Sequence, residues 1–183
     1  PNDMRSKLLK LIEEEVKNAR KQKPARILGK VNHITDRTLI AKLYEASAAG
    51  VKIDLVVRGN CSIVTGIPGI SENIRINGII DRYLEHSRIF IFANGGDEKM
   101  FIGSADWMPR NLDNRVEVIA PVYDPEIKAD LKRVVEYGLK DTLQGRVVDG
   151  TGENRPWISE DKTAFRSQEE LYKYYLNENR IKD

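Results

Sequence analysis

From Ser6 to Lys21 the apolar residues Leu8, Leu9, Leu11, Ile12, Val16 and Ala19 recur at helical spacing. Glu13 and Lys17, four apart, form an ion pair outside this stripe. Pro24 follows where a helix should have ended. Ala25–Asn32 then reads as a strand. Asp36 stands at an N-cap before Leu39, Ile40 and Leu43, and Gly50 takes the position just past the helix end. Val51, Ile53, Leu55 and Val57 alternate as the next strand. Strand, helix and strand within so short a span make a βαβ unit, so these two strands should be parallel and the sheet buried on both faces. Gly59–Ser71 leaves the C-terminal end of the second strand as a glycine- and proline-rich loop, at the edge where open α/β sheets bind ligands.

Further on, the pattern predicts a strand near Ile74, a short helix over 79–85, and strands over 88–92 and 99–102. The turn Asn94-Gly95-Gly96 joins the last two as a hairpin. Another strand is expected over 115–122. Asp124-Pro125 then caps a long helix with Ile127, Leu131, Val134, Val135 and Leu139 on its apolar face. After Gly145 the chain turns polar and irregular through Trp157. Ser167 and Glu170 have the spacing of a capping box before a loosely packed terminal helix over 171–176.

The 183 residues allow one full domain, or one with small appendages. With 40% apolar residues and a mean hydropathy of −0.48, they should fold around a real core. Thirty basic against 28 acidic side chains leave a net charge of +2, too small a bias to imply nucleic-acid binding by charge. No apolar run approaches the roughly 18 residues of a membrane span, and the charged start resembles neither a signal nor a transit peptide. A cytoplasmic protein is expected. Pro1 at the first position points to a cut inside a longer chain. One cysteine, Cys61, and two histidines, His33 and His86, are too few for an internal disulfide or a zinc cluster, so any metal should be a hard cation.

Seven basic residues lie between Arg58 and Arg115, and six of them are arginine. Arginine's planar fork grips two phosphate oxygens at once, which suits a multiply charged phosphate. Seven acids share the stretch, so surface ion pairing explains the bias equally well. His86 stands directly before a strand in Leu84-Glu85-His86-Ser87-Arg88. It could bind phosphate or protonate a leaving oxygen, or could simply be a hydrogen-bonded histidine. His33 is a weaker candidate, and Cys61 reads as structural. In Gly103-Ser104-Ala105-Asp106-Trp107-Met108-Pro109-Arg110-Asn111, small residues after a strand would let backbone amides approach an anion.

Four blocks, namely Val57-Arg58-Gly59, Pro68–Arg75, Tyr83–Phe90 and Gly103–Asn111, together resemble the C-terminal catalytic region of bacterial polyphosphate kinases in order, interval and wording. The resemblance runs from about Ala25 to Arg146. It implies an α/β phospholipase D-like domain with a mixed sheet flanked by helices. On this reading residues 25–150 form that domain, 1–24 a helix ending the preceding domain or a linker, and 151–183 a C-terminal tail. It also implies reversible transfer of the terminal phosphate of ATP, through a phosphohistidine, to inorganic polyphosphate, with Mg2+ accompanying ATP. His86 matches the histidine that assists as general acid or holds phosphate charge. Arg58 matches a residue that contacts the nucleotide, and Arg88, Ser104 and Arg110 are expected to bind nucleotide or phosphate beside it. The family's nucleophilic histidine belongs to a preceding domain and has no counterpart here. This chain alone is therefore expected to be inactive, while the complete kinase is expected to be a homo-oligomer working on ATP or ADP and polyphosphate. In phospholipase D-type phosphodiesterases the pattern is His-x-Lys-x4-Asp, whereas Arg88 and Ala93 stand here for the lysine and the aspartate. A diesterase or transferase pairing two His86 residues across a dimer is thus the weaker enzyme reading. A non-catalytic assembly module using the tail is a third.

Overall fold

A computed structural model describes residues 3–159 and 163–180 of the protein. The chain runs α1 (Met4–Arg20), β1 (Arg26–Val31), α2 (Arg37–Ala48), β2 (Lys52–Val57), β3 (Ile74–Ile79), β4 (Ile89–Phe92), β5 (Lys99–Gly103), α3 (Pro109–Asp113), β6 (Ile119–Val122), α4 (Pro125–Lys140), β7 (Gly145–Val147) and α5 (Ser167–Arg180). The strands form one sheet in the order β6-β5-β4-β1-β2-β3-β7. β1, β2 and β3 are parallel, as the βαβ pattern requires, and every other pairing is antiparallel.

Both faces of the central sheet are covered, so the last five residues of β1 and of β2 are all buried, Lys30 and Asp54 among them. On one face Ile27, Val31, Ile53, Leu55, Phe90 and Phe92 pack with Leu8, Ile12 and Val16 of α1 and Leu39 and Leu43 of α2. On the other, Leu28, Ile89, Ile91 and Met100 meet Val135 of α4. The α1 helix is fastened to the sheet by buried Glu15, which accepts from the backbone N–H of Arg26 at 3.0 Å and of Asn94 at 2.6 Å. Asp36 caps α2 by accepting from the Leu39 N–H, and Asp124 caps α4 through the N–H groups of Glu126 and Ile127.

Several local expectations change. Glu13 pairs with Lys42 of α2 at 2.6 Å, while Lys17 pairs with Glu14. The hairpin between β4 and β5 turns through a short 3-10 helix at Asn94–Gly96. The strand expected over 115–122 begins only at Ile119. No helix forms over 79–85. That segment leaves β3 irregularly, with Ile80 and Leu84 about three-quarters exposed, so it has no apolar face to bury as a helix. Part of the polar stretch after Gly145 is β7, whose three residues add an edge strand beside β3. The terminal helix begins at Ser167, and the Ser167 hydroxyl donates to Asp141 at 2.7 Å instead of closing a capping box on Glu170. Its first turn is firmly docked, with Ser167 and Gln168 buried. Among the described residues, no helix is long and apolar enough to cross a membrane.

Candidate functional site

The C-terminal ends of β1 and β2 deliver Asn32, His33, Arg58 and Gly59 to one edge of the sheet. Antiparallel β4 begins at that same edge, and β5 ends there. His86, Arg88, Ser104 and Asp106 consequently arrive beside them, although 74 residues separate Asn32 from Asp106 in sequence. Trp107 anchors the loop after β5. It is fully buried, stacks on Phe90 with ring centroids 5.3 Å apart, and its carbonyl accepts from the N–H groups of Thr35 and Asp36.

Buried Asp106 is the hub. It accepts from the Asn32 backbone N–H at 2.8 Å, from Asn32 Nδ2 at 3.0 Å, and from Arg88 Nε at 3.3 Å and Nη2 at 3.0 Å. Burial alone would push its carboxyl up, but these donors hold it below the usual carboxylate range. With its amide turned toward Asp106, Asn32 presents Oδ1 to Nε of Arg58. Arg58 then donates from Nη2 to His86 Nδ1 at 2.8 Å. A continuous chain of polar contacts therefore runs from Arg88 through Asp106, Asn32 and Arg58 to His86.

Arginine has no acceptor atom, so Nδ1 of His86 must offer its lone pair. The neutral ring accordingly carries its proton on Nε2. Desolvation, with the positive charges of Arg88 and Arg58 next, holds the His86 pKa below its ordinary value, and Asp106 opposes the shift. His86 is thus a neutral, exposed imidazole near pH 7, with an Nε2–H free to donate.

The segment carrying His86 is held at three points. Arg166 grips Asp81 through Nε at 3.0 Å and Nη2 at 2.7 Å. Gln168 exchanges hydrogen bonds with the Tyr83 backbone, both at 2.8 Å. Glu85 accepts from buried Lys30 at 2.5 Å and from Gln168 at 3.2 Å. Sequence reasoning missed Asn32, Lys30, Asp106 as a hub, and Gln168, because each acts through a neighbour distant in the chain.

The five site residues expected from sequence are not equally joined. Arg58, Arg88 and His86 share the network above, and Arg88 is buried with donors spent on Asp106 and on the His86 carbonyl at 2.9 Å. Ser104 lies at the same edge, where its hydroxyl donates to Glu117 and its oxygen accepts from the Val118 N–H at 3.1 Å. Arg110 sits exposed on α3 and makes no side-chain hydrogen bond or ion pair among the described residues. His33 lies beneath the Arg58–Gly59 turn and accepts at Nδ1 from the Asn60 N–H at 2.9 Å. Any side chain at Gly59 would collide with its ring, since a Cβ there would lie 2.3 Å from Cε1. Cys61 is half-buried, and burial pushes its thiol up, away from nucleophilic use.

The family model described as polyphosphate kinase C-terminal domain 2 matches residues 1–168. The chain belongs to this family. It is 46% identical to a polyphosphate kinase of Vibrio vulnificus over 97% of its own length, and 52% identical to one of Thermosynechococcus vestitus over 85%. It spans 25% and 21% of those proteins, respectively. The crystal structure of polyphosphate kinase from Porphyromonas gingivalis is similar over 98% of this chain and 28% of that one, with a TM-score of 0.92 and 40% identity. NucT from Helicobacter pylori matches with a TM-score of 0.52 at 15% identity, covering 76% of this chain and 91% of that one. Nuc from Salmonella typhimurium, a phospholipase D family member, gives 0.50 at 14%, covering 74% and 89%. Together these establish the α/β phospholipase D-like fold.

Proposed function

We propose that this domain supplies one half of a phosphoryl-transfer site in a polyphosphate kinase, the other half and the attacking histidine coming from a different domain. The observation that carries the reading is the Arg58–His86 pair at the sheet edge. It couples a fixed positive charge to an imidazole with a free Nε2–H, and the pair has no carboxylate partner among the described residues. When the terminal phosphoryl group leaves ADP for the attacking histidine, charge spreads over its oxygens in a loose transition state. His86 Nε2–H would donate to one of those oxygens or to the bridging oxygen as its bond breaks. Arg58 Nη1, which makes no hydrogen bond among the described residues, would meet another, with exposed Arg110 as a further contact. A terminal oxygen of polyphosphate then takes the phosphoryl group from the histidine, lengthening the chain by one phosphate. Arg88 holds Asp106 and the His86 carbonyl in place, and Ser104 would reach phosphate only by leaving Glu117.

The side chains here do not fit a protein-held magnesium ion. Asp106 is filled by Arg88 and Asn32, Glu85 by Lys30 and Gln168, and Glu117 by Ser104 and by Asn111 at 2.7 Å. Among the described residues no group of three His, Cys, Asp or Glu is placed to hold a metal. Mg2+ accompanying ATP would therefore draw its ligands from phosphate and water. Use of ATP, a cytoplasmic location and a homo-oligomeric complete kinase belong to the same proposal. A thin-layer assay with ATP and short polyphosphate tests it. The chain alone should form no polymer, a kinase carrying it should, and polymer made by the chain alone would contradict the division of labour.

A further inference from the structure

Asn32 stands one residue past the end of β1 and is only 1% exposed. Its carboxamide donates on one side and accepts on the other, and both sides are occupied. Nδ2 donates to Asp106 Oδ1 at 3.0 Å and to Oδ2 at 3.3 Å, while Oδ1 accepts from Nε of Arg58. The neighbours fix this orientation. An ionised carboxylate can only accept and a guanidinium can only donate, so a flipped amide would set donor against donor and acceptor against acceptor. Asp106 is in turn held by Arg88 and by the backbone N–H groups of Asn32 and His33.

The residue type matters as much as its place. An aspartate at this position could also accept from Arg58, but it would cancel the arginine's charge. It would also confront the Asp106 carboxylate across the 3.0 Å that the amide now spans, where like charges repel. A leucine would offer Arg58 no acceptor at all. The neutral amide holds Arg58 at Nε and leaves the guanidinium charge uncancelled. Arginine's fork is planar, so holding it at Nε also directs its other end. That end reaches His86, with Nη2 2.8 Å from Nδ1.

We infer that Asn32 is a positioning residue, which orients Arg58 and through it keeps the His86 proton on Nε2. The inference rests on the proposed function for its effect on turnover, and on the hydrogen bonds alone for its effect on the ring. Nitrogen NMR of the chain, labelled in arginine and histidine, tests it. In the unmodified chain the Arg58 Nε–H should exchange with solvent about tenfold or more slowly than that of exposed Arg110, which makes no side-chain hydrogen bond among the described residues. Asn32→Leu, similar in size but without polar atoms, should abolish that protection. It should also shift His86 Nδ1 toward the resonance of a protonated nitrogen, because Arg58 is no longer held against it. Asn32→Ala covers the case in which leucine crowds the buried site, and circular dichroism shows which variants fold. Arg58→Ala should shift Nδ1 in the same sense, and adding Asn32→Leu to it should shift Nδ1 no further. In a kinase carrying this domain, Asn32→Leu should lower turnover by about tenfold or more, the scale of one hydrogen bond to a charged group. With Arg58 already alanine, it should cause no further loss. An unprotected Arg58 Nε–H in the unmodified chain, an unmoved Nδ1 in a folded Asn32 variant, or turnover losses that simply add would each overturn the inference. Failure of the proposed function has a different signature. If Asn32→Leu and Arg58→Ala both shift the ring yet leave turnover unchanged, the positioning stands and the role of His86 in phosphoryl transfer falls.

Discussion

Arg58 Nη2 lies 2.8 Å from His86 Nδ1, and because arginine can only donate, the distance fixes which imidazole nitrogen carries the proton. A neutral His86 keeps its proton on Nε2, pointing away from the network. Protonating Nδ1 would oppose two donors and break the contact.

This relationship has a spectroscopic consequence. In nitrogen NMR of the chain at neutral pH, His86 Nδ1 should resonate as an unprotonated nitrogen and Nε2 as a protonated one. The His86 pKa should lie below the ordinary histidine value, and Arg58→Ala should raise it by removing one neighbouring positive charge. Because a histidine lowered on folding favours the folded state only while neutral, its contribution is complete above the ordinary value and is lost as pH falls through the folded one. An Nδ1-protonated neutral ring would contradict the pairing.

In a kinase carrying this domain, His86→Gln should lower turnover by about 10²- to 10⁴-fold, the usual contribution of a positioned proton donor. The melting temperature of the chain should scarcely move, since His86 is exposed. Steady-state rates beside a thermal melt check both halves. A loss under tenfold returns His86 to an ordinary surface histidine.

Asp106→Ala should act in the opposite way, mainly on stability. Arg88 would be left buried without its partner, a change that typically costs about 3–5 kcal/mol. In a domain of this size that lowers the melting temperature by roughly 10 °C. Calorimetry of the chain decides it, and an unchanged melt would show that the Arg88–Asp106 pair does not hold the edge together.

Much of the fold was legible in the chain because apolar spacing marks the strands and helices and side-chain caps mark where two of the helices begin. The βαβ order, the Asp36 and Asp124 caps and the apolar face of α4 all follow from local chemistry. The segment after β3 was not legible. Its conformation is set by Arg166 and Gln168, both more than 80 residues away, so no local pattern records it. β7 was hidden for a similar reason, being only three residues, Gly145-Arg146-Val147, whose partner is β3. Within the site, His86, Arg58 and Arg88 could be named from sequence, but the bracing of Arg88 by Asp106 could not, because it needs the hairpin of β4 and β5 to be folded.

The hold of α5 on the His86 segment gives a further expectation. Gln168→Ala removes both hydrogen bonds to the Tyr83 backbone, so the Tyr83 amide should exchange with solvent faster, on the order of tenfold for about 1.4 kcal/mol of lost protection. Turnover of a kinase with this change should fall less than with His86→Gln, because the imidazole remains. Hydrogen exchange followed by mass spectrometry reads the first effect. Unchanged protection over 81–86 would mean that Lys30 and Arg166 alone hold the segment.

In the proposed function His86 assists phosphoryl transfer and does not itself become phosphorylated. Incubating a kinase that carries this domain with ATP, quenching in alkali and mapping acid-labile phosphate by mass spectrometry tests this most directly. Phosphohistidine should appear in peptides outside residues 1–183 and not at His86, with the separate chain unlabelled. Phosphate on His86 Nε2 would contradict it and make this domain the carrier of the nucleophile.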